Sequence, residues 1–371
     1  MERAERLHRE AVVVDTCGPE GPAVYTPDML TRLHELESRR APTGELVEAM
    51  TTLTHEALQR GELDDYWSSW KASGVDVSCF TIGIDWGLHP FTYEAAMRDL
   101  YRYGRLFDEL DRFVNVTSAA DADLAHREGK AGLVLAFQNT THFGDDLGTL
   151  ERFYELGVRV VQLTYNDRNL VGDGCMQTDP AGLSAFGVDV VHRMNELGIL
   201  VDLSHCSEPT SFDAVSTSST PVAITHAFAR SVHDHDRGKS DELIKAVGTD
   251  GYVGVVLVPF FLTSDSRVTL DHFIAHVDHI AGLVGVDHVG IGSDWSPEFA
   301  PQIVRALNAE VGNLGFRTEH RVDFGAKIEG LDAWADWPNV THALVAHGFS
   351  DGEIRGLVGG NFLRLFRDVV G

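Results

Sequence analysis

Eight short apolar runs recur along this chain, most of them followed by helically spaced sequence, and that alternation restricts the fold more than any single motif. The runs fall at residues 11–15 (AVVVD), 75–82 (VDVSCFTI), 132–137 (GLVLAF), 158–164 (VRVVQLT), 199–204 (ILVDLS), 222–225 (VAIT), 252–258 (YVGVVLV) and 289–293 (VGIGS). Continuous apolar runs of this length are typical of parallel strands buried on both faces. Apolar residues at helical spacing predict covering helices at 93–110, 147–156, 186–197, 241–247 and 270–284. The pattern favours a (β/α)8 TIM barrel over an open doubly wound sheet. The turn after the first run, DTCGP, also lacks the GxGxxG of a dinucleotide site. An insert at 25–73, with helical stretches at 27–40, 44–60 and 64–72, separates the first two runs. With 43% hydrophobic residues in 371 and no low-complexity linker, one domain over 1–371 is expected.

A formal net charge of −26 argues against nucleic acid and anionic membrane as partners. The first residues, MERAERLHREAVVVD, lack the apolar core of a signal peptide, and no run approaches the ~20 apolar residues of a membrane span. Cys17, Cys79, Cys175 and Cys206 share no CxxC spacing and suggest no disulfide framework. The expectation is a cytoplasmic protein with no membrane and no nucleic-acid partner.

Two runs end in histidine: 200–204 leads into His205, and 222–225 into His226. A strand, a crossover and a parallel strand would set both imidazoles at the carboxyl edge of one sheet, on neighbouring strands. Parallel α/β folds place their chemistry at that edge, and two neutral imidazoles side by side make half of a zinc site. The same rim collects Asp15 or Cys17, Thr81, Gln138, Tyr165 and Asp294. Two histidines, a carboxylate and several polar groups are the composition of a metal-assisted hydrolase, with Asp294 as proton acceptor or ligand. Asn139, directly after Gln138, is a candidate pocket donor. Residues 166–182, rich in glycine and aspartate, read as an active-site loop. His233 and His235, in the polar stretch HDHDRGKSDE, read as solvated.

Several motifs carry a resemblance: LVDLSH, PVAITHAFAR, DRGKSDELI, HVGIGSDW, GGNFLRLF, and the longer LGVRVVQLTYNDRNLVGDG and AGLSAFGVDVVHRMNELGI. In this order they resemble the membrane (renal-type) dipeptidase family of zinc peptidases, within the amidohydrolase superfamily. The likeness runs from about residue 12 to the carboxyl end. It implies a distorted TIM barrel, a homodimer, two zinc ions, and cleavage of dipeptides, sometimes with a D- or dehydro-residue at the carboxyl end.

Carried over by position, His205 and His226 match the two histidines of the family's second zinc. Asp294 matches the proton-accepting aspartate, and Arg237 an arginine that binds the substrate carboxylate. The chain also departs from the pattern. Cys17 and Pro19 stand where the family has a histidine-x-aspartate pair for the first zinc, Gln138 replaces the bridging glutamate, and Tyr165 replaces a substrate-contacting histidine. The resemblance therefore implies a hydrolase of a dipeptide or related small amide with one zinc. His205 and His226 would hold it with help from Gln138 or Asp294. Arg237, Tyr165 and Asn139 would meet the substrate, with Cys17 and Asp15 as additional site residues. Two other readings stay open: another C–N hydrolase or a lyase acting on a small metabolite, and an inactive relative that binds a small ligand.

Overall fold

All pairings between the strands are parallel. In the computed structural model, which describes residues 1–83, 91–294 and 298–371, the strands are β1 (Val14–Gly18), β2 (Val77–Thr81), β3 (Phe113–Asn115), β4 (Ala131–Phe137), β5 (Val158–Gln162), β6 (Leu200–Asp202), β7 (Ala223–Ala227), β8 (Tyr252–Val255) and β9 (Val289–Ile291). Their spatial order is β1-β2-β4-β5-β6-β7-β8-β9, and β3 lies off this path, beside β4. Eight strands in sequential order, with helices between most of them, form the expected (β/α)8 barrel. The covering helices fall close to their expected places, for example Tyr93–Glu109, Ala185–Leu197 and Leu270–Val284. The first strand starts three residues later than its apolar run, because the Val13 amide is turned aside to donate to Asp76 Oδ2 at 2.8 Å.

The seam between β9 and β1 is closed by a side chain. The Ser293 amide and hydroxyl donate to the two oxygens of Asp15 at 2.7 and 2.5 Å, and the Asp294 amide donates to the Cys17 carbonyl at 2.6 Å. Asp15 is fully buried, which a carboxylate tolerates only with its oxygens satisfied. The barrel interior at this level is crowded. Thr16 Oγ1 donates to the Thr225 carbonyl at 2.6 Å, and a Cβ added at Gly254 or Gly292 would lie 2.0 Å from that same oxygen. Only glycine fits there.

At the amino end of the strands, Val14, Val77, Val160, Leu200 and Ala223 pack on the carboxyl-terminal helix Asn361–Val369 through Phe362, Leu365 and Phe366. That helix plugs the barrel floor, so the opposite end is where a pocket forms. The insert after β1 forms the helices Pro27–Ser38, Thr43–Gln59 and Asp64–Ser73. Its Leu33, Leu36 and Leu46 pack on Ile303 and Leu307 of helix Pro301–Glu310, and Trp70 meets Trp334 with ring centres 5.9 Å apart. Among the described residues no helix is long and apolar enough to cross a membrane.

Candidate metal centre at the barrel mouth

His205 follows β6, and His226 lies on β7. Their Nε2 atoms face one another at 3.0 Å. The partners of the opposite ring nitrogens fix both tautomers. Asn166 donates through Nδ2 to the Leu314 carbonyl at 2.6 Å, which turns its Oδ1 toward His205 Nδ1 at 2.7 Å. His205 Nδ1 therefore carries the proton. Thr225 Oγ1 donates to Asp202 Oδ2 at 2.6 Å, so it accepts from His226 Nδ1 at 2.8 Å. The Ser204 amide, the Ser204 hydroxyl and the Thr225 amide hold Asp202 in turn, at 3.0, 2.5 and 2.9 Å.

Both imidazoles thus point bare lone pairs at each other. Burial, reinforced by the Arg237 guanidinium, holds both well below the usual histidine range, so neither takes a second proton to relieve the repulsion. Two neutral imidazoles with their outer N–H groups anchored are the arrangement that a divalent transition metal takes up. The donor set fits zinc.

His226 also belongs to a second grouping. Its ligand atom and those of Cys17 and Asp294 all lie within 4.8 Å of one another. The Cys17 thiol faces Asp294 Oδ1 at 3.9 Å, and Gln138 Nε2 donates to Cys17 Sγ at 3.1 Å. Gln138 therefore turns its nitrogen, not its oxygen, toward this grouping. Asp294 adopts φ 50°, a left-handed conformation uncommon outside glycine, and the hydrogen bond its amide donates to the Cys17 carbonyl holds it there. Burial pushes its carboxyl up to about 7, opposed by Arg237 and reinforced by Asp15. The Tyr165 ring stacks on His205 with centres 4.3 Å apart, and burial pushes its phenol up, so it stays a neutral donor.

Other expected residues are placed differently. Arg237 is fully buried, and its terminal nitrogens donate to the carbonyls of Ser204 and His226. It braces the two histidine-bearing strand ends. Lys239 is buried beside it, donating to the Cys206 carbonyl at 2.7 Å, and burial together with Arg237 pushes it down to about 8. His235 is buried as well, its ring tilted against that of His320 with centres 4.1 Å apart, where the sequence suggested solvent. Asn139 accepts from the Thr140 amide at 2.8 Å and from Asn169 Nδ2 at 2.7 Å, pinning the loop after β5. That loop is more ordered than its composition suggests: Cys175 donates its amide to the His205 carbonyl at 2.7 Å, and Ser207 to the Asp173 carbonyl at 2.9 Å. Sequence reasoning missed Asn166, Asp202 and Thr225, the residues that orient the histidines.

A cavity of about 570 Å³ opens over the centre. Cys17, Gln138, Tyr165, His205 and Asp294 form part of its lining, whereas Asp15, Asn139, His226 and Arg237 do not. Much of the remaining wall is aromatic or aliphatic, including Phe260, Phe299, Phe316 and Ile303.

The family model for membrane dipeptidase (peptidase family M19) matches residues 1–308. The chain belongs to the membrane dipeptidase family. It is 27% identical over 286 residues to dipeptidase tcpJ of Claviceps purpurea and 28% identical over 263 residues to dipeptidase verJ of Clonostachys rogersoniana. These matches cover 75% and 70% of this chain, and the chain spans only 61% of the length of each of those relatives. Among solved structures, an amidohydrolase from Pseudomonas aeruginosa superposes with a TM-score of 0.79 at 26% identity, covering 99% of both chains.

Proposed function

We propose that this member of the dipeptidase family is a zinc-dependent hydrolase of a dipeptide or related small amide carrying a bulky apolar side chain. The observation that carries this reading is the pair of buried, neutral imidazoles whose free Nε2 atoms stand 3.0 Å apart at the mouth of the barrel. His205 and His226 would hold the ion, with Asp294 beside them. Zinc supplies a Lewis acid and lowers the pKa of water toward ~7.

The chain's own residues account for the rest. Asp294, held beside the histidines by its amide hydrogen bond to the Cys17 carbonyl, accepts the proton of the attacking water and returns it to the leaving amine. Tyr165 presents a neutral phenol to the cavity as a hydrogen-bond donor for the substrate. Arg237 acts as a positioning residue through the carbonyls beside the histidines, and its charge favours an anionic substrate end. Asn139 acts at one remove, by fixing the loop.

The cavity supports the side-chain preference. Its volume of about 570 Å³ falls within the ~300–1,000 Å³ of pockets for drug-sized ligands, more than two small residues fill. The test is a panel of dipeptides assayed with zinc and after chelation. Chelator-sensitive release of amino acids is expected, with kcat/KM for dipeptides bearing Phe or Leu at least ~10-fold above Gly-Gly. Full activity in a metal-free preparation, or hydrolysis of no dipeptide in the panel, would overturn the proposal.

A further inference from the structure

Cys17 and Cys79 are both buried, yet their surroundings differ. Cys79 packs among Val77, Val134 and Ala136 as a small hydrophobe, whereas among the described residues Cys17 belongs to no hydrophobic cluster and lines the cavity instead. Its sulfur shares a 4.8 Å grouping with ligand atoms of His226 and Asp294. We propose that Cys17 ligates the metal as a thiolate, and that Gln138 is the positioning residue for that sulfur. This rests on the metal-dependent reading above.

Three observations converge on it. First, ligand atoms of three residue types that bind zinc, cysteine, histidine and aspartate, come together where His205 adds a further imidazole. Second, a thiolate and a carboxylate together neutralise a divalent cation, and a buried centre is costly with net charge left over. Third, the Gln138 side-chain amide aims an N–H at Sγ from 3.1 Å, and the backbone at Gln138 is held in place by Gln162 Nε2, which donates to its main-chain carbonyl at 2.5 Å. An amide donor complements a thiolate, whereas a glutamate in that place would face it with like charge. Cysteine at 17 and glutamine at 138 are therefore one coupled arrangement. When the metal–sulfur bond forms, the S–H bond breaks, and the proton passes to Asp294, which the thiol already faces, and on to solvent.

X-ray absorption on the zinc-loaded wild-type protein needs no variant. A sulfur scatterer at ~2.3 Å is expected beside nitrogen and oxygen at ~2.0–2.2 Å. In the cobalt-substituted protein a near-ultraviolet sulfur-to-metal charge-transfer band is expected. It should vanish in Cys17→Ser and persist in Cys175→Ser, and Gln138→Leu, which removes the N–H donor without adding a ligand, should weaken cobalt binding by ~10–100-fold. One bound zinc with only nitrogen and oxygen neighbours overturns the cysteine ligand and leaves the hydrolase proposal standing. Failure of the wild-type protein to take up zinc overturns both. If Cys17→Ser does not fold, the wild-type absorption spectrum decides alone.

Discussion

Replacing Thr225 by valine preserves shape and removes one hydroxyl, the link between Asp202 and His226. In the native protein that hydroxyl donates to Asp202 at 2.6 Å and accepts from His226 Nδ1 at 2.8 Å. Losing a bond to a buried carboxylate costs ~1.5–3 kcal/mol. The carboxylate keeps its three other donors, from Ser204 and the Thr225 amide, so the lower part of that range, about 2 kcal/mol, is expected. For a chain of this size that is a fall in Tm of about 2–3 °C. The larger effect falls on metal binding. Without its acceptor, the His226 proton moves to Nε2, where His205 Nε2 receives it at 3.0 Å. That exchange stabilises the metal-free protein and blocks the atom a metal needs. Zinc affinity, measured by competition with a chromophoric chelator, should fall ~10–100-fold, and Thr225→Ser should restore it. A folded Thr225→Val protein with wild-type zinc affinity would refute the tautomer assignment.

Arg237→Lys keeps the charge and loses the fork that reaches two carbonyls; a loss of about 2–3 kcal/mol in urea unfolding is expected, with weakened zinc binding, and a neutral outcome would return Arg237 to a direct substrate role. Gly292→Ala places a Cβ 2.0 Å from the Thr225 carbonyl, so chemical denaturation should show at least ~1–3 kcal/mol of destabilisation, and an unchanged midpoint would contradict the interior packing. Lys239 titrates near 8 when folded against 10.5 for the free side chain, so between those pH values the unfolded chain binds the extra proton and stability rises with pH. At neutral pH its buried charge costs about 3 kcal/mol, and the wild type should gain on Lys239→Met across that window; parallel pH profiles for the two proteins would exclude it.

The barrel was legible because strands buried on both faces cannot hide their apolar runs. What escaped notice lacked that signal. β3 is three residues long, Phe113–Asn115, and the amino-terminal helix Glu2–Glu10 is mostly charged on its exposed side. At the site, His205, His226, Gln138, Tyr165, Cys17 and Asp294 follow from one rule, that parallel strands aim their carboxyl ends at a common mouth. Arg237 sits in a run of polar residues that reads as surface, and only the tertiary packing of Arg237, Gly238 and Lys239 turns it inward. Asp202 gave a usable clue, an acid inside an apolar strand, which is costly unless it serves a neighbour. Asn166 gave none, because an asparagine in a loop of asparagines and aspartates looks like turn chemistry.

Anomalous diffraction from crystals grown with zinc tests the central claim most directly. A peak bounded by His205, His226 and Asp294 is the expected result. Density showing the two imidazoles bridged by a proton alone, with no anomalous peak at the mouth of the barrel, would contradict it.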